Sequence, residues 1–204
     1  MGVVETELDG RSLRIARISF TGDLSFELTV PARSAETLRA RLDKALAAVS
    51  GCWIGLEAVM ILRAEKGFIL IGKDTDGSTM PHDLGWSGPR EKRDDEYLGK
   101  RSLFTPEGRS ATRRQLVGLQ VEDGGPPIVT GSHIIPTSGP RRSLGFVTSS
   151  YHSPTLNRPI ALALLEAGFD QIGDHVQVFN DGQTRKARVT QACSFDPEGA
   201  RLNG

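Results

Sequence analysis

The stretch SLGFVTSSYHSPTLNRPIALALL, residues 143–165, decides the fold of the second half of this chain. It contains two short apolar runs, residues 143–148 and 160–165, and the turn sequence Ser153-Pro154-Thr155-Leu156 lies between them. Short β-type runs that alternate with Gly, Pro and Asp turns are typical of a small barrel or sandwich. The same kind of run recurs at residues 116–121, 175–179 and 186–190. The second half is therefore predicted to be nearly all β.

The amino-terminal residues predict a short β-meander. Asp9-Gly10 joins two strand-like runs, residues 3–8 and 11–18, and this dipeptide tolerates the positive φ of a tight hairpin turn. Thr21-Gly22-Asp23 interrupts the pattern, which resumes as an alternation of apolar and polar residues over 25–30. We therefore expect three consecutive strands here.

Two helices are predicted after the meander. In the first, Ser34 is placed to cap the amino end and Gly51 to end the helix. Its apolar residues recur at helical spacing: Leu38, Leu42, Ala45, Leu46 and Val49. The second helix covers residues 56–65 with Gly67 beyond its end, and its periodicity places Arg63 at the border of the apolar face.

An irregular region separates the two halves of the chain. Residues 68–71 are apolar and are predicted to form a strand, and the stretch 74–90 that follows is longer than an ordinary loop. Such a stretch is expected to be functional or to pack over another element. We predict an α+β domain over residues 1–108 and a second, β-rich domain over residues 109–204, so the fold class is α+β.

Charge and cysteine content exclude several classes of protein. The 25 basic and 25 acidic side chains balance and are interspersed, so no surface for nucleic acid or for an anionic membrane is expected. No apolar run in the sequence approaches the roughly 20 residues that span a bilayer, and the chain is interpreted as cytoplasmic. Cys52 and Cys193 lie far apart without a metal-ligand spacing, so buried, reduced thiols and no metal site are expected.

Glu27 is the first candidate for ligand binding. It follows the aromatic Phe26 near the start of a predicted strand and lies four residues beyond Asp23, so the two carboxylates can border one cleft. A carboxylate accepts two parallel hydrogen bonds from a cyclic amidine-like edge, which suits a pterin or guanine-type ring. On residue type alone, a solvent-facing strand Glu and a turn Asp are the more frequent situation.

Arg63 is the second candidate. A guanidinium at the edge of an apolar helix face needs a carboxylate, a cluster of carbonyl groups or a ligand anion as its partner. The structural alternative to a ligand is a salt bridge to Glu27 or Glu57.

Other polar residues receive structural interpretations. Lys66 in the last helical turn complements the negative end of the helix dipole, and Asp74 and Asp76 are interpreted as turn formers. No Ser or Cys nucleophile lies at a recognised spacing from any of the four histidines, His82, His133, His152 and His175. The catalytic residues therefore stay unknown.

The order and spacing of several motifs resemble the glycine-cleavage T-protein (aminomethyltransferase) superfamily. These motifs are RISFTGD at residues 17–23, Phe26-Glu27, LRAEKG at 62–67 and GKDTD at 72–76. Further segments are most similar to the carboxy-terminal part of sarcosine oxidase alpha subunits: YLGKRSL at 97–103, Ser149 with residues 153–156, IALA at 160–163 and FDPEGARLNG at 195–204. The resemblance covers essentially the whole chain.

The resemblance implies a tetrahydrofolate site. In this family a carboxylate at the Glu27 position holds the pterin and an arginine at the Arg63 position lies in the folate pocket. Phe20 stands in the expected pocket wall, where T-proteins commonly carry Tyr, and we include Asp23 because its carboxylate can border the same cleft as Glu27. It also implies a partial ferredoxin-like layer followed by a small antiparallel β-barrel. The implied activity is transfer of a one-carbon unit from an oxidised N-methyl amine to give 5,10-methylenetetrahydrofolate, with flavin and NAD carried by other domains or subunits.

Departures from the family pattern set the alternatives. Family members carry a further segment before the position where this chain begins, including an acidic residue thought to act in catalysis, so a fragment or a shortened relative that is inactive alone is expected. The alternative is a non-catalytic assembly module that binds sarcosine oxidase partner subunits or a second copy of itself. The iron–sulfur-linked members carry Lys-Gly-Cys-Tyr where this chain has Lys66-Gly67-Phe68-Ile69, which argues against that class.

Overall fold

The computed structural model describes residues 2–86 and 93–203 of the 204-residue chain. The chain forms two compact units, the first made of Met1–Arg63 with Glu198–Gly204 and the second of Ala64–Pro197. Residues 87–90 of the predicted irregular stretch lie outside the described residues. The predicted domain boundary between residues 108 and 109 stays a prediction.

A three-stranded antiparallel sheet opens the first unit, as the sequence predicts. Its strands are β1 (Val3–Leu8), β2 (Arg11–Ala16) and β3 (Glu27–Thr29), in the order β1-β2-β3. Asp9 and Gly10 form the turn between β1 and β2 with φ of 53° and 72°, so both residues of the dipeptide adopt the left-handed conformation that such a turn requires. The second and third strands are shorter than their predicted ranges.

Helix α1 (Ala35–Ala48) follows a 3-10 turn at Ala32–Ser34. The predicted cap is wrong, because the Ser34 side chain makes no capping hydrogen bond; its hydroxyl instead accepts one from Arg11 at 3.4 Å. Gly51 donates its N–H to the carbonyl of Leu46 at 2.8 Å, but the left-handed residue is Ser50, with φ of 53°. No residue of α1 is buried.

Helix α2 (Leu56–Lys66) confirms the second predicted helix, and Gly67 follows its last residue. Gly67 has φ of 76°, and a Cβ atom there would lie 2.8 Å from the backbone of Ala192 and Cys193. Only glycine fits, because the conformation and the close approach of the chain both exclude a side chain.

A short helix, α3 (Ala200–Asn203), completes the first unit. The N–H of Leu24 donates to the carbonyl of Arg201 at 2.9 Å, and the guanidinium of Arg17 donates to the carbonyl of Leu202 at 3.1 Å. The loop between β2 and β3 is therefore tied to the carboxyl-terminal helix.

After α2 the chain forms turns rather than the strand predicted for residues 68–71. The backbone carbonyl of Leu70 accepts hydrogen bonds from the N–H groups of Lys73 and Asp74, which closes a turn, and Ile71 is 77% exposed. Short 3-10 helices follow at Pro81–Leu84 and Lys100–Phe104.

Six antiparallel strands close into the predicted barrel. They are β4 (Arg114–Val121), β5 (His133–Ile135), β6 (Gly145–Ser153), β7 (Arg158–Glu166), β8 (His175–Asn180) and β9 (Gln183–Thr190). A 3-10 turn at Gly168–Gln171 lies between β7 and β8. The order around the barrel is β4-β7-β6-β5-β8-β9, and β9 pairs with β4 to close it. Strand β5 is the one that the sequence did not predict.

The barrel interior is a continuous apolar core. Val117, Ile134, Val147 and Leu165 are fully buried in it, and residues from every strand contribute. At Gly145 a Cβ atom would lie 2.0 Å from the carbonyl oxygen of Leu164, so glycine allows β6 and β7 to approach closely. The α+β class, with a sheet and helices followed by a small antiparallel barrel, is confirmed.

Among the described residues, no helix combines the length and the apolar character needed to cross a bilayer. Within the same residues, no group of three or more His, Cys, Asp or Glu side chains is placed to hold a metal ion.

Candidate functional site

Glu27 occupies the first position of β3, in register with Ala16 of β2. Its side chain is exposed to solvent. The sequence therefore predicted correctly that Glu27 lies near the start of a strand, and the carboxylate is accessible to a ligand.

The loop that precedes Glu27 carries exposed aromatic side chains. Phe20 is 36% exposed and Phe26 is 56% exposed. The loop backbone is held locally, because the N–H of Gly22 donates to the Ser19 hydroxyl at 2.9 Å. Exposed apolar rings of this kind can pack against a planar heteroaromatic ligand.

Asp23 in the same loop forms an ion pair with Arg201 of α3, at 2.6 Å between a carboxylate oxygen and Nε. The Asp23 side chain is 36% exposed and that of Arg201 is 58% exposed. This pair acts together with the backbone hydrogen bond from Leu24 to hold the loop against α3.

Arg63 lies three residues before the end of α2 and is fully buried. Burial removes the water around a guanidinium, so the surrounding groups must compensate for the lost hydration. The predicted convergence of Glu27 and Arg63 on one ligand stays a prediction.

Among the described residues of the second unit, three carboxylates are buried: Glu65, Asp74 and Asp83. Glu65 accepts hydrogen bonds from the hydroxyls of Ser153 at 2.5 Å and Thr155 at 2.9 Å. These partners belong to the turn sequence between β6 and β7, so the turn also binds the carboxyl end of α2. The sequence analysis identified this turn but did not predict its contact with Glu65.

Asp74 joins the turn after α2 to strand β6. Its carboxylate accepts hydrogen bonds from the hydroxyls of Thr148 and Ser149, the second at 2.7 Å, and from the N–H of Leu70 at 2.9 Å. Asp74 thus closes a turn, as predicted, but it is fully buried and also binds the barrel.

Asp76 is a turn former, as predicted. Its carboxylate accepts hydrogen bonds from the hydroxyl and the N–H of Ser78, and these bonds lower the pKa of the carboxyl.

Asp83 binds the guanidinium of Arg113 through two hydrogen bonds, at 2.8 and 2.6 Å. It also accepts the N–H of Met80 at 2.7 Å. The hydrogen bonds to Asp83 raise the pKa of Arg113 above its ordinary value. A nearly buried, two-pronged pair of this kind orients both side chains.

Lys66 lies at the last position of α2, as predicted, and makes a further contact that the sequence did not predict. Its ammonium donates to the backbone carbonyl of Asp196 and lies 3.2 Å from a carboxylate oxygen of the same residue. The neighbouring carbonyl of Glu65 accepts the N–H groups of Ser194 and Phe195. The last turn of α2 is therefore bound to the segment that follows β9.

The cysteines are free thiols. The prediction of burial is wrong for Cys52, which is exposed, while Cys193 is half-buried and burial raises the pKa of its thiol.

These contacts divide the polar residues by chemical role. Glu65, Asp74 and Asp83 have hydroxyl, backbone or guanidinium donors and hold segments of the second unit in place. Glu27 is exposed and directly follows the exposed Phe26 in the chain, so its carboxylate is open to an external ligand. No signal in the local sequence distinguishes the two roles, because the hydroxyl groups that bind Glu65 and Asp74 belong to residues more than 70 positions away.

Two domains of one family match the chain. Residues 1–88 match the GCVT N-terminal domain, and residues 114–196 match the Glycine cleavage T-protein C-terminal barrel domain. The chain belongs to the glycine cleavage T-protein family. The resemblance that the motifs indicate is thereby confirmed.

Named relatives fall into two groups. The sarcosine oxidase subunit alpha of Corynebacterium sp. (strain U-96) is 34% identical over 210 residues, covering 100% of this chain and 22% of the relative. The aminomethyltransferase of Desulfitobacterium hafniense is 30% identical over 193 residues, covering 95% of this chain and 52% of the relative. This chain therefore spans about a fifth of the first relative and about half of the second.

A solved structure supports the fold. The crystal structure of glycine cleavage system aminomethyltransferase T from Bartonella henselae matches with a TM-score of 0.76 and 26% sequence identity. The match covers 91% of this chain and 50% of that chain.

Proposed function

We propose that this chain is the tetrahydrofolate-binding portion of a sarcosine oxidase alpha-type subunit. Its role is to accept a one-carbon unit from an oxidised N-methyl amine, with 5,10-methylenetetrahydrofolate as the product. The observation that carries the proposal is the 34% identity to a sarcosine oxidase subunit alpha over the whole of this chain. Sarcosine is an N-methyl amine, so an oxidase that acts on it supplies the carbon to be captured.

The residues around Glu27 fit a folate-type ligand. Phe20 and Phe26 present apolar rings, and Glu27 presents a carboxylate, all within one loop and the start of β3. A pterin can cover the apolar surface while its N–H edge donates two hydrogen bonds to the carboxylate. Covering the apolar surface of the rings contributes about 25 cal/mol per Å² to binding. The hydrogen bonds to the carboxylate favour binding as a separate contribution.

Each candidate residue has a distinct role in the proposal. Glu27 holds the pterin, Phe20 stacks against it, and the buried Arg63 forms part of the wall of the folate pocket. Asp23, through its ion pair with Arg201, keeps the loop that carries Phe20 in place. When bound, tetrahydrofolate supplies the nitrogens that accept the one-carbon unit; this chain binds and orients it.

Other parts of the proposal concern the assembly. Flavin and NAD belong to other domains or subunits, and turnover requires sarcosine oxidase partner subunits. The proposed location is the cytoplasm.

Titration calorimetry with tetrahydrofolate and with folinic acid tests the pterin role. Glu27→Gln keeps the size of the side chain but removes its charge, and losing a charge-assisted hydrogen bond weakens binding roughly tenfold to a hundredfold. Glu7→Gln is the matched control, because Glu7 is also an exposed glutamate of the same sheet and is not part of the proposed site. Its affinity should equal that of the unmodified chain.

Equal affinities for the Glu27 and Glu7 variants would contradict the pterin role of Glu27. Circular dichroism melting of both variants checks that neither has lost the fold, since both substituted side chains are exposed. Absence of folate binding by the unmodified chain, measured in the presence of a sarcosine oxidase beta-type subunit, would overturn the proposed function itself.

A non-catalytic assembly module is the second candidate function. The observation in its favour is the apolar surface of the first unit, where Val3, Val4, Trp53 and Ile54 are each at least half exposed. Exposed apolar surface of this kind commonly marks a protein interface. Co-purification with a beta-type subunit, combined with no folate affinity in the complex, would favour this candidate over the first.

A further inference from the structure

A small cavity of about 230 Å³ lies on the barrel beside the loop between β5 and β6. Its lining residues are His133, Ile135, Arg141, Arg142, Ser143 and Phe179. Two guanidinium groups and one imidazole line this cavity, and none of these six residues carries a carboxylate. Its charge and the presence of Phe179 and Ile135 indicate a ligand that is anionic at one end and apolar at the other.

The arginines retain hydrogen-bonding capacity for a ligand. Arg142 uses Nη1 to bind Glu166, which leaves its other N–H groups available, because a guanidinium has five donors. Arg141 is exposed at the mouth of the cavity. Two adjacent guanidiniums can bind the oxygens of one phosphate or carboxylate from two directions.

The loop that carries the arginines is fixed by a chain of hydrogen bonds. The Ser143 hydroxyl donates its single proton to the carbonyl of Gly145 at 3.0 Å, so its oxygen accepts the Nδ1 proton of His133, also at 3.0 Å. The N–H of Leu144 donates to the carbonyl of Ile134 at 2.8 Å. The arginines therefore lie on an ordered base, which lowers the entropy cost of binding.

An apolar wall completes the cavity. Ile135 is buried, and Phe179 of β8 is half-buried and pairs in register with His133 of β5. An inorganic anion would leave this wall exposed, whereas an anion attached to a ring or a short alkyl group would cover it.

We propose that this cavity binds a small organic oxyanion, a phosphate or carboxylate group attached to an apolar body. Arg141 and Arg142 bind the charged group, and Phe179 and Ile135 contact the apolar body. The proposal is independent of folate binding, since every residue that it uses belongs to the second unit and Glu27 belongs to the first.

Titration of the isotope-labelled chain followed by NMR tests the proposal. Phenyl phosphate and benzoate, added separately at constant ionic strength, distinguish a phosphate from a carboxylate as the charged group. We expect saturable shifts at the backbone amides of Ser143 and Phe179. Arg141→Ala should weaken binding of the better probe roughly tenfold, whereas Arg101→Ala, a change of an exposed arginine outside the cavity, should leave it unchanged.

A third variant gives an effect of the opposite sign. Glu166→Gln removes the carboxylate that competes for Arg142, so binding of the better probe should become tighter by a few-fold. A merely structural role for Arg142 predicts no such gain.

Three results would overturn the proposal. The first is the absence of saturable shifts at Ser143 and Phe179 with either probe. The second is equal weakening by the Arg141 and Arg101 variants, which would mean non-specific attraction. The third is equal affinity for inorganic phosphate and phenyl phosphate, which would remove the apolar body from the ligand.

Discussion

The barrel and the β1–β3 sheet bury apolar surface to very different extents. Within the barrel, residues from all six strands form one core, and Val117, Val147 and Leu165 are completely buried. In the described part of the first unit, Leu13 and Ala16 are the buried apolar side chains, and both are in β2. The barrel therefore has its own source of stability, whereas the sheet unit has little apolar burial of its own.

The sheet unit depends on polar contacts at its surface. Arg41 binds Asp9 at 2.6 Å and Arg14 binds Glu5 at 2.8 Å, and all four side chains are more than 40% exposed. Exposed pairs of this kind contribute between zero and about 1 kcal/mol each. Truncating a side chain should therefore cost much more stability in the barrel than in the sheet unit.

Leucine truncations in the two units should give the largest contrast. Leu165→Ala in the barrel removes a fully buried side chain and should lower the free energy of unfolding by about 3–5 kcal/mol. Leu42→Ala in α1 removes a partly exposed one and should cost less than about 1 kcal/mol. Urea denaturation, monitored by circular dichroism, measures both.

Equal losses for the two leucine variants would break the comparison between the units. They would show that the apolar face of α1 is covered in solution, and size-exclusion chromatography with light scattering would then reveal whether a second copy covers it.

Polar substitutions should give a smaller contrast in the same direction. Asp74→Asn leaves the hydroxyls of Thr148 and Ser149 without a charged acceptor in a buried position, and should cost about 2–4 kcal/mol. Asp9→Asn also removes a charge, but asparagine tolerates the left-handed turn and the lost pair is exposed, so the cost should be under about 1 kcal/mol. Thermal melts of the two variants provide the measurement, and a larger loss for Asp9→Asn would refute the assignment of Asp74 as an anchor.

The smallest expected effect concerns an exposed pair on the barrel itself. Hydrogen bonds from Arg185, and then from the N–H of Gly125, hold the pKa of Asp123 well below its ordinary value. Because the folded-state pKa is depressed, the stabilisation is present above the unfolded pKa of about 3.9 and is lost as pH falls through the folded value. The Asp123 side chain is 47% exposed, so the contribution should stay below about 1 kcal/mol.

Asp123→Asn should therefore be slightly less stable than the unmodified chain at neutral pH, and the difference should shrink as the pH falls below the unfolded pKa and towards the folded-state pKa of Asp123. Urea denaturation at several pH values checks this convergence. A difference that persisted or grew in acid would show that the Asn side chain, rather than the lost charge, changes the stability.

The barrel was predictable because its strands repeat a local pattern. Residues 160–165 and 116–121 are apolar runs bounded by turn residues, and the structure contains them as the centres of β7 and β4. Strand β5 has three residues, His133–Ile135, which is too short for any periodicity to appear. Its partners on both sides, β6 and β8, determine its conformation.

Residues 68–71 show the opposite error, because the sequence predicts a strand there and the structure has none. A four-residue apolar run fits a strand by composition, but the carboxylate of Asp74 accepts the N–H of Leu70 and the chain turns instead. A local side-chain hydrogen bond thus takes the place of the strand-to-strand backbone hydrogen bonds that the composition suggests.

The positions of the polar candidate residues in strands and helices were predictable from the sequence, but the burial and the contacts of such residues were less so. Glu27 lies at the start of a strand, as its sequence pattern indicates, and Arg63 lies in a helix where the apolar periodicity places it. The burial of Glu65 was not predictable, because its partners Ser153 and Thr155 are 88 and 90 residues away. Periodicity reports on neighbours within one element and carries no information about such distant donors.

The contact between Lys66 and Asp196 joins residues that are 130 positions apart. During synthesis, the last turn of α2 leaves the ribosome long before the segment that follows β9 exists. At translation rates of about 5–20 residues per second, that delay is on the order of ten seconds. Until that segment has been synthesised, water takes the place of Asp196, Ser194 and Phe195 as the partner of the Lys66 ammonium and the Glu65 carbonyl. The end of this helix is therefore among the last parts of the nascent protein to reach its final form.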